Sequence, residues 1–328
     1  MALSELSESV ALCDASGRLN PAAVGWSRRP LHEANLRGRG RAKRWEYWAI
    51  TQDDSVFAVT VSDLDYAALH AVYVLMPDGR EFARSVIVPL RRVGLGDHVG
   101  DSPIRVRTRQ LAIDLVPDVG GVTIRAKAEG VAAAFRVEQP IDHDALGVVV
   151  PWGPTRFQYT VKQNALPAVG EVVVDGERFA FDAAYATVDH GRGKWPYAIT
   201  WNWGSGSGVV DGHVVGIQIG GSWTDGTGST ENALSVDGRL HYIPDDLRWE
   251  YDETDWMRPW HITDPQGQRL DLTLTPRHVR AESTNLAVLA NVTHQAFGVW
   301  TGWMSDDAGR RFAVDGISGW AEEVRNRW

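Results

Sequence analysis

The stretch DHGRGKWPYAITWNWGSG, from Asp189 to Gly206, sets a carboxylate, an imidazole, two cations, a tyrosine and three tryptophans within eighteen residues. A carboxylic acid among aromatic rings is suited to proton donation. Desolvation raises its pKa, and π faces stabilise a developing carbocation. Read as an alternating strand, YAITWNW puts Tyr197, Ile199, Trp201 and Trp203 on one face and Ala198, Thr200 and Asn202 on the other. Gly191 and Gly193 read as a tight turn ahead of that strand. Such a turn delivers Asp189, His190, Arg192 and Lys194, with Trp195 behind them, to the mouth of an aromatic wall. The plainer alternative is that the rings pack a core and the charges are solvated.

The second candidate acid is Glu231, followed by Asn232, at the end of the Gly, Ser and Thr-rich segment GGSWTDGTGSTENALSVDG. A carboxylate next to an amide either acts as an acid with an orienting partner or ties down its own loop. Lys162, after FQYTV, and His294, before AFGVWTGW, set polar groups amid apolar strands and are candidates for substrate contact. For a lone histidine the structural role is the commoner one. His241, His261, His278 and His294 show no metal-ligand spacing, and Cys13 is the single cysteine. There is neither a GxxxxGK[ST] phosphate loop nor a GxSxG elbow. No metal and no cofactor are expected.

The elements that must position these groups read as strands. VSDLDYAALHAVYVLM, RVRTRQLAIDLV, VTIRAKA, RFQYTVK, GEVVVDGERFAF and GHVVGIQIGG are short, partly alternating and rich in β-branched and aromatic residues. Asp-Gly pairs at 78, 175, 211, 225, 237 and 315 are hairpin-turn signals. No strand and helix alternation appears. The expected class is all-β, with two antiparallel barrel or barrel-like halves packed together. The halves are 1–160, with a basic N-terminal segment, and 161–328, with the Trp-rich block, meeting after Pro151, Gly153 and Pro154. Fifteen tryptophans outnumber the eight Phe and the eight Tyr, so many of them must find a partner for the indole N–H.

A net charge of −9 argues against nucleic acid as a partner. The local exception, Arg37, Arg39, Arg41, Lys43 and Arg44, is expected to pair with the protein's own acids, with anion recognition as the alternative. No stretch has the length of a membrane span, and the acidic N-terminus lacks a signal-peptide pattern, so a cytoplasmic protein with a small-molecule ligand is expected. Nothing in the sequence sets an oligomeric state.

Several separate blocks carry a family resemblance. They are GRLNPAAVGWSRRPLHEANLRGRGRAKRWEYWAI, PWGPTRFQYTVKQNALPAVGEVVVDGE, the opening stretch, STENALSVDGRLHYIP, HQAFGVWTGW and GWAEEVRNRW. Together they resemble the bacterial DUF2804 family, to which no activity is attached. The GKWPYAITWNW block and a terminal G-x-x-E are similar, at the level of fold, to lipocalin-like double-barrel proteins such as carotenoid hydratases and tocopherol cyclases. That resemblance implies a lipocalin-like double barrel. It also implies a cofactor-independent general-acid enzyme of hydratase, dehydratase or cyclase type, a lyase or isomerase, acting on a largely apolar, isoprenoid-like molecule. The resemblance transfers no catalytic position; on the reading of the residues themselves Asp189 or Glu231 would be the acid, in a Trp-lined pocket with hydrophobic ligand binding. Two alternatives stay open: a carbohydrate-active enzyme, a glycoside hydrolase or lyase with paired carboxylates and Trp platforms, and a non-catalytic carrier of a hydrophobic ligand.

Overall fold

The computed structural model describes residues 3–37, 41–285 and 290–327. Among them the one helical element is a 3-10 turn, Pro21–Ala23, and the rest is strand and loop. Three two-residue turns, Asp175-Gly176, Asp211-Gly212 and Asp237-Gly238, have both residues at positive φ, the geometry whose twist matches that of the flanking strands. Asp78-Gly79 and Asp315-Gly316 also join consecutive strands, whereas Asp225-Gly226 lies in the loop after the His213–Gly221 strand.

Two antiparallel sheets follow from these hairpins. The main path of the first runs Glu81–Pro89, Ala67–Leu75, Ser55–Asp63, Ala42–Gln52, Glu177–Lys194, Arg156–Val174, Val131–Glu138, Gly121–Ala128, Leu111–Asp118 and Ile104–Arg107. Val86 of one edge strand and Ile104 and Val106 of the other pack into the same core as Phe57, Phe135 and Phe181. The sheet therefore curls round on itself. The second sheet runs from Arg239–Ile243 through Asn232–Val236, His213–Gly221, Ala198–Val210, Ile317–Arg327, Ala290–Ser305, Leu270–Asn285 and Trp260–Thr263 to Arg248–Glu250. It encloses its own core around Trp260, Trp300 and Met304.

Strand alternation then sorts residues between these cores and the layer where the sheets meet. In the Ala42–Gln52 strand, Trp48 and Ile50 enter the first core, while Tyr47 and Ala49 face Trp203, Phe297 and Trp320 of the second sheet. A register shift between Gln163 and Leu166 lets the buried Asn164 donate from Nδ2 to the Ile217 carbonyl, 2.8 Å away. Beside it, the Ala165 amide donates to Ser207 Oγ at 2.9 Å.

The expected division at 160/161 falls inside the Arg156–Val174 strand, and the chain passes from the first sheet to the second between Lys194 and Ala198. Pro151, Gly153 and Pro154 mark the turn from the Leu146–Gly153 strand to its antiparallel neighbour. The expected turn at Gly191 and Gly193 is absent, because both lie within the Glu177–Lys194 strand. They serve close approach instead. A Cβ on Gly191 would lie 2.1 Å from Trp45 Cζ2, and one on Gly193 would lie 2.2 Å from Gln158 Oε1.

Candidate functional site

Two rows of side chains, one from each sheet, confront each other in the layer between the barrels. Register sets Lys162 beside Asp189 and Asp189 beside Tyr47 in the first sheet. In the second it sets Trp203 beside Glu322, Glu322 beside Gln295, and Gln295 beside Arg280. The rows meet where the Lys162 ammonium sits 3.9 Å from the centre of the Trp203 ring and where Tyr47 meets that ring edge-on at 5.6 Å.

Lys162 joins two acids. Its Nζ lies 3.0 Å from Asp189 Oδ2 and 3.3 Å from Glu231 Oε2, with all three side chains nearly sealed from solvent. Asp189 also accepts from Thr160 Oγ1 at 2.9 Å and from the Trp45 indole at 3.0 Å, while Glu231 accepts from the Trp223 indole at 2.7 Å. Burial works against the Lys162 charge, but the two carboxylates together outweigh it and hold its pKa above the ordinary lysine value. Burial pushes Glu231 up, with Lys162 opposing and Asp189 reinforcing the shift.

A third acid completes the group. Glu322 accepts from the Trp201 indole at 3.1 Å and from Gln295 Nε2 at 2.9 Å. Burial raises its pKa to about 7, against the Trp201 hydrogen bond and the Lys162 and Arg280 charges, which lower it. The carboxyl is thus half protonated near neutrality.

Around these acids Trp195 is the hub of a tryptophan cluster. Its ring lies 5.6 Å from Trp45, 5.3 Å from Trp152, 5.8 Å from Trp201 and 5.7 Å from Trp223. Every indole in it donates: Trp195 to Gln158 Oε1 at 2.7 Å and Trp152 to the Trp223 carbonyl at 2.9 Å, besides those already named. Trp203 donates likewise to Gln218 Oε1 at 3.0 Å. Trp45, Tyr47, Trp152 and Trp201 are half-buried and give the layer contact with solvent. Two cavities of about 300 and 260 Å³ lie elsewhere, and none of the three acids lines them.

The structure brings Asp189, Glu231, Lys162, Trp195, Trp201 and Trp203 together and separates the other expected contacts. His190 and Lys194 project from the opposite face of the strand that carries Asp189, since their positions differ from 189 by odd numbers. His190 is buried between Glu46 and the Asp97 carbonyl, and Lys194 donates to the Gly17 carbonyl. His294 is on the far face of its strand, stacked on Trp256 at 4.1 Å, and its neighbour Gln295 is the one that reaches Glu322. Tyr197 precedes its strand and is 45% exposed. Asn232 ties down its loop, accepting from the Gly220 amide at 2.7 Å and donating to the Asp245 carbonyl at 3.0 Å.

Sequence reading missed Glu322, Gln295, Trp45, Tyr47 and Trp223 as members of one site. A signal existed for Glu322, an acid set directly after the apolar pair Trp320-Ala321 in a strand-forming stretch. The basic segment disperses too. Arg37 donates to the Ala15 carbonyl, and Lys43 is buried, donating to the Leu64 carbonyl and lying over the Tyr66 ring. Arg39 lies outside the described residues.

Fold and site define an all-β protein of two curled antiparallel sheets with an acid-rich, tryptophan-walled layer between them. The chain belongs to the DUF2804 family, a domain of unknown function, whose model matches residues 4–328. Among solved structures it is similar to CghA with Sch210972, at TM-score 0.57 and 14% identity, covering 87% of this chain and 88% of that one. It is also similar to a putative AttH from Nitrosomonas europaea, at TM-score 0.52 and 13% identity over 87% of this chain and 92% of that one. Kievitone hydratase from Nectria haematococca aligns at TM-score 0.48 and 10% identity, covering 100% and 98%. The alignments with CghA and with the putative AttH show a shared fold. No curated protein matches the chain.

Proposed function

We propose that this protein is a cofactor-independent enzyme of hydratase or cyclase type, acting on a largely apolar, unsaturated, isoprenoid-like small molecule held between the sheets. The observation that carries the reading is the Glu322 carboxyl, poised near neutrality and hydrogen-bonded to the Trp201 indole within an aromatic layer. In the proposed step the Glu322 O–H bond breaks and a C–H bond forms on one alkene carbon. The adjacent cation lies against the rings of Trp201 and Tyr47. Water or an internal double bond then adds, and a proton returns to the carboxylate, so the cycle is redox-neutral. Asp189 and Glu231, bridged by Lys162, fix the Trp45 and Trp223 indoles and supply negative charge near the cation. Small-molecule binding has a counterpart in the same fold, where CghA is seen with Sch210972.

One observation favours a second reading. Both Asp189 and Glu231 are already engaged by Lys162 and by indole donors, an arrangement that serves a non-catalytic carrier equally well.

The test is incubation with geraniol, farnesol, squalene and lycopene in deuterated water, followed by mass spectrometry of the products and native mass spectrometry of the protein. The enzyme reading expects deuterium incorporation that Glu322→Gln lowers by about a hundredfold or more without abolishing binding. Binding with no change in ligand mass establishes the carrier. If no probe binds, both readings fall.

A further inference from the structure

At the other side of the first barrel, the gap between its two edge strands is basic. A cavity of about 300 Å³ opens there, lined in part by Val88 of the Glu81–Pro89 strand and Val106 of the Ile104–Arg107 strand, with Arg91, Arg92, Arg105, Arg107 and His70 around it. Arg92 is held by Asp65, and Arg107 grips both carboxylate oxygens of Asp114 at 2.8 Å. A further acid, Asp63, accepts from the amide of the lining residue Val93. Among the described residues no acid pairs with Arg91 or Arg105, although Arg105 stands in register with Asp114. In a protein of net charge −9 such a concentration of uncompensated guanidinium is a local inversion of sign.

His70 is the second observation. It is 98% buried in effect, with only 2% of its surface exposed, and its Nδ1 has no hydrogen-bond partner. That nitrogen is itself sealed from solvent, so it is the ring's place in the cavity wall that ties His70 to the site. Burial, with the Arg91 charge in support, lowers its pKa to about 4, so the ring is neutral at physiological pH and retains one N–H.

We propose that this cavity is a binding site for a small phosphate-type oxyanion, with Arg91 and Arg105 as the free forks and the His70 imidazole in its wall. Guanidinium groups match phosphate oxygens two at a time, and the pairs Arg92–Asp65 and Arg107–Asp114 hold the flanking arginines in place. The site lies on the first barrel alone and is independent of the layer between the sheets.

Inorganic pyrophosphate and inorganic phosphate are the probes, titrated calorimetrically into the full chain at low ionic strength. Saturable one-to-one binding of pyrophosphate is expected, weakened more than about tenfold in Arg91→Gln/Arg105→Gln. Both arginines are exposed, and retained far-UV circular dichroism confirms that the variant folds. His70 gives an independent readout, because a bound anion raises the pKa of its imidazole, visible as a shift of its proton resonances with pH. Absence of saturable binding, binding unchanged in the double variant, or a His70 titration unmoved by pyrophosphate overturns the proposal.

Discussion

The ammonium of Lys162, on the first sheet, stands 3.9 Å from the centre of the Trp203 ring on the second. A cation between two acids and an aromatic face couples the sheets electrostatically at a point where hydrogen-bonded pairing between them is absent.

Removing that cation strands two buried carboxylates. Lys162→Met is expected to lower the unfolding free energy at pH 7.5 by about 3–5 kcal/mol, the loss seen when one partner of a buried ion pair is deleted. In an Asp189→Asn/Glu231→Gln background the same substitution should cost far less. Urea denaturation of the parent and the three variants checks both statements.

Glu322 imposes a pH dependence of known sign. Its pKa is about 7 in the folded protein against 4.5 for the ordinary glutamate, so the folded state binds the extra proton between those values. Stability therefore declines as pH rises from about 4.5 through 7, by about 3 kcal/mol for a shift of this size. Glu322→Gln, in which a flip of the Gln295 amide keeps the hydrogen bond, should abolish that decline and leave the variant more stable than the parent at pH 8. Denaturation curves at pH 5 and pH 8 supply the comparison, and in the catalytic reading turnover falls over the same interval.

Gly191→Ala tests close approach rather than turn geometry. The added methyl would meet Trp45 Cζ2 at 2.1 Å and Gln158 Nε2 at 2.6 Å, forcing the Trp45 indole off Asp189. A loss of about 1–3 kcal/mol is expected from overpacking, with a changed near-ultraviolet circular dichroism signal from the displaced indole. A variant with native spectrum and stability contradicts the account.

Asn164 bridges the sheets by one buried bond to the Ile217 carbonyl. Asn164→Ala is expected to cost about 1–3 kcal/mol. Gly216→Ala should cost a similar amount, since its Cβ would press on Asn164 Oδ1 at 2.7 Å. Thermal melts of the two single variants and the double variant should show less than additive losses, because both act on one contact.

The strands, their hairpins and the all-β class were legible because each depends on neighbours in sequence. Period-2 hydrophobicity makes a pleated strand, and Asp-Gly supplies the positive φ values that a two-residue turn needs. The aromatic face of Ile199, Trp201 and Trp203 was legible for the same reason. The partnership of Asp189, Glu231 and Lys162 was visible only as separate polar residues among apolar ones. Alternation within the Glu177–Lys194 strand sends Asp189 to the layer and His190, one position later, to the other face, which the reading of Gly191 and Gly193 as a turn obscured.

The sequence by itself determined which residues alternate and where the chain reverses, since those are local consequences of backbone geometry. Tertiary structure alone decided that the Trp-rich strand opens the second sheet while the strand carrying Asp189 stays in the first. It also decided that Glu322, 133 positions beyond Asp189 in the chain, confronts it across the layer. Pairing register between distant strands and the packing of two curled sheets set those distances, and neither leaves a periodic trace in the chain.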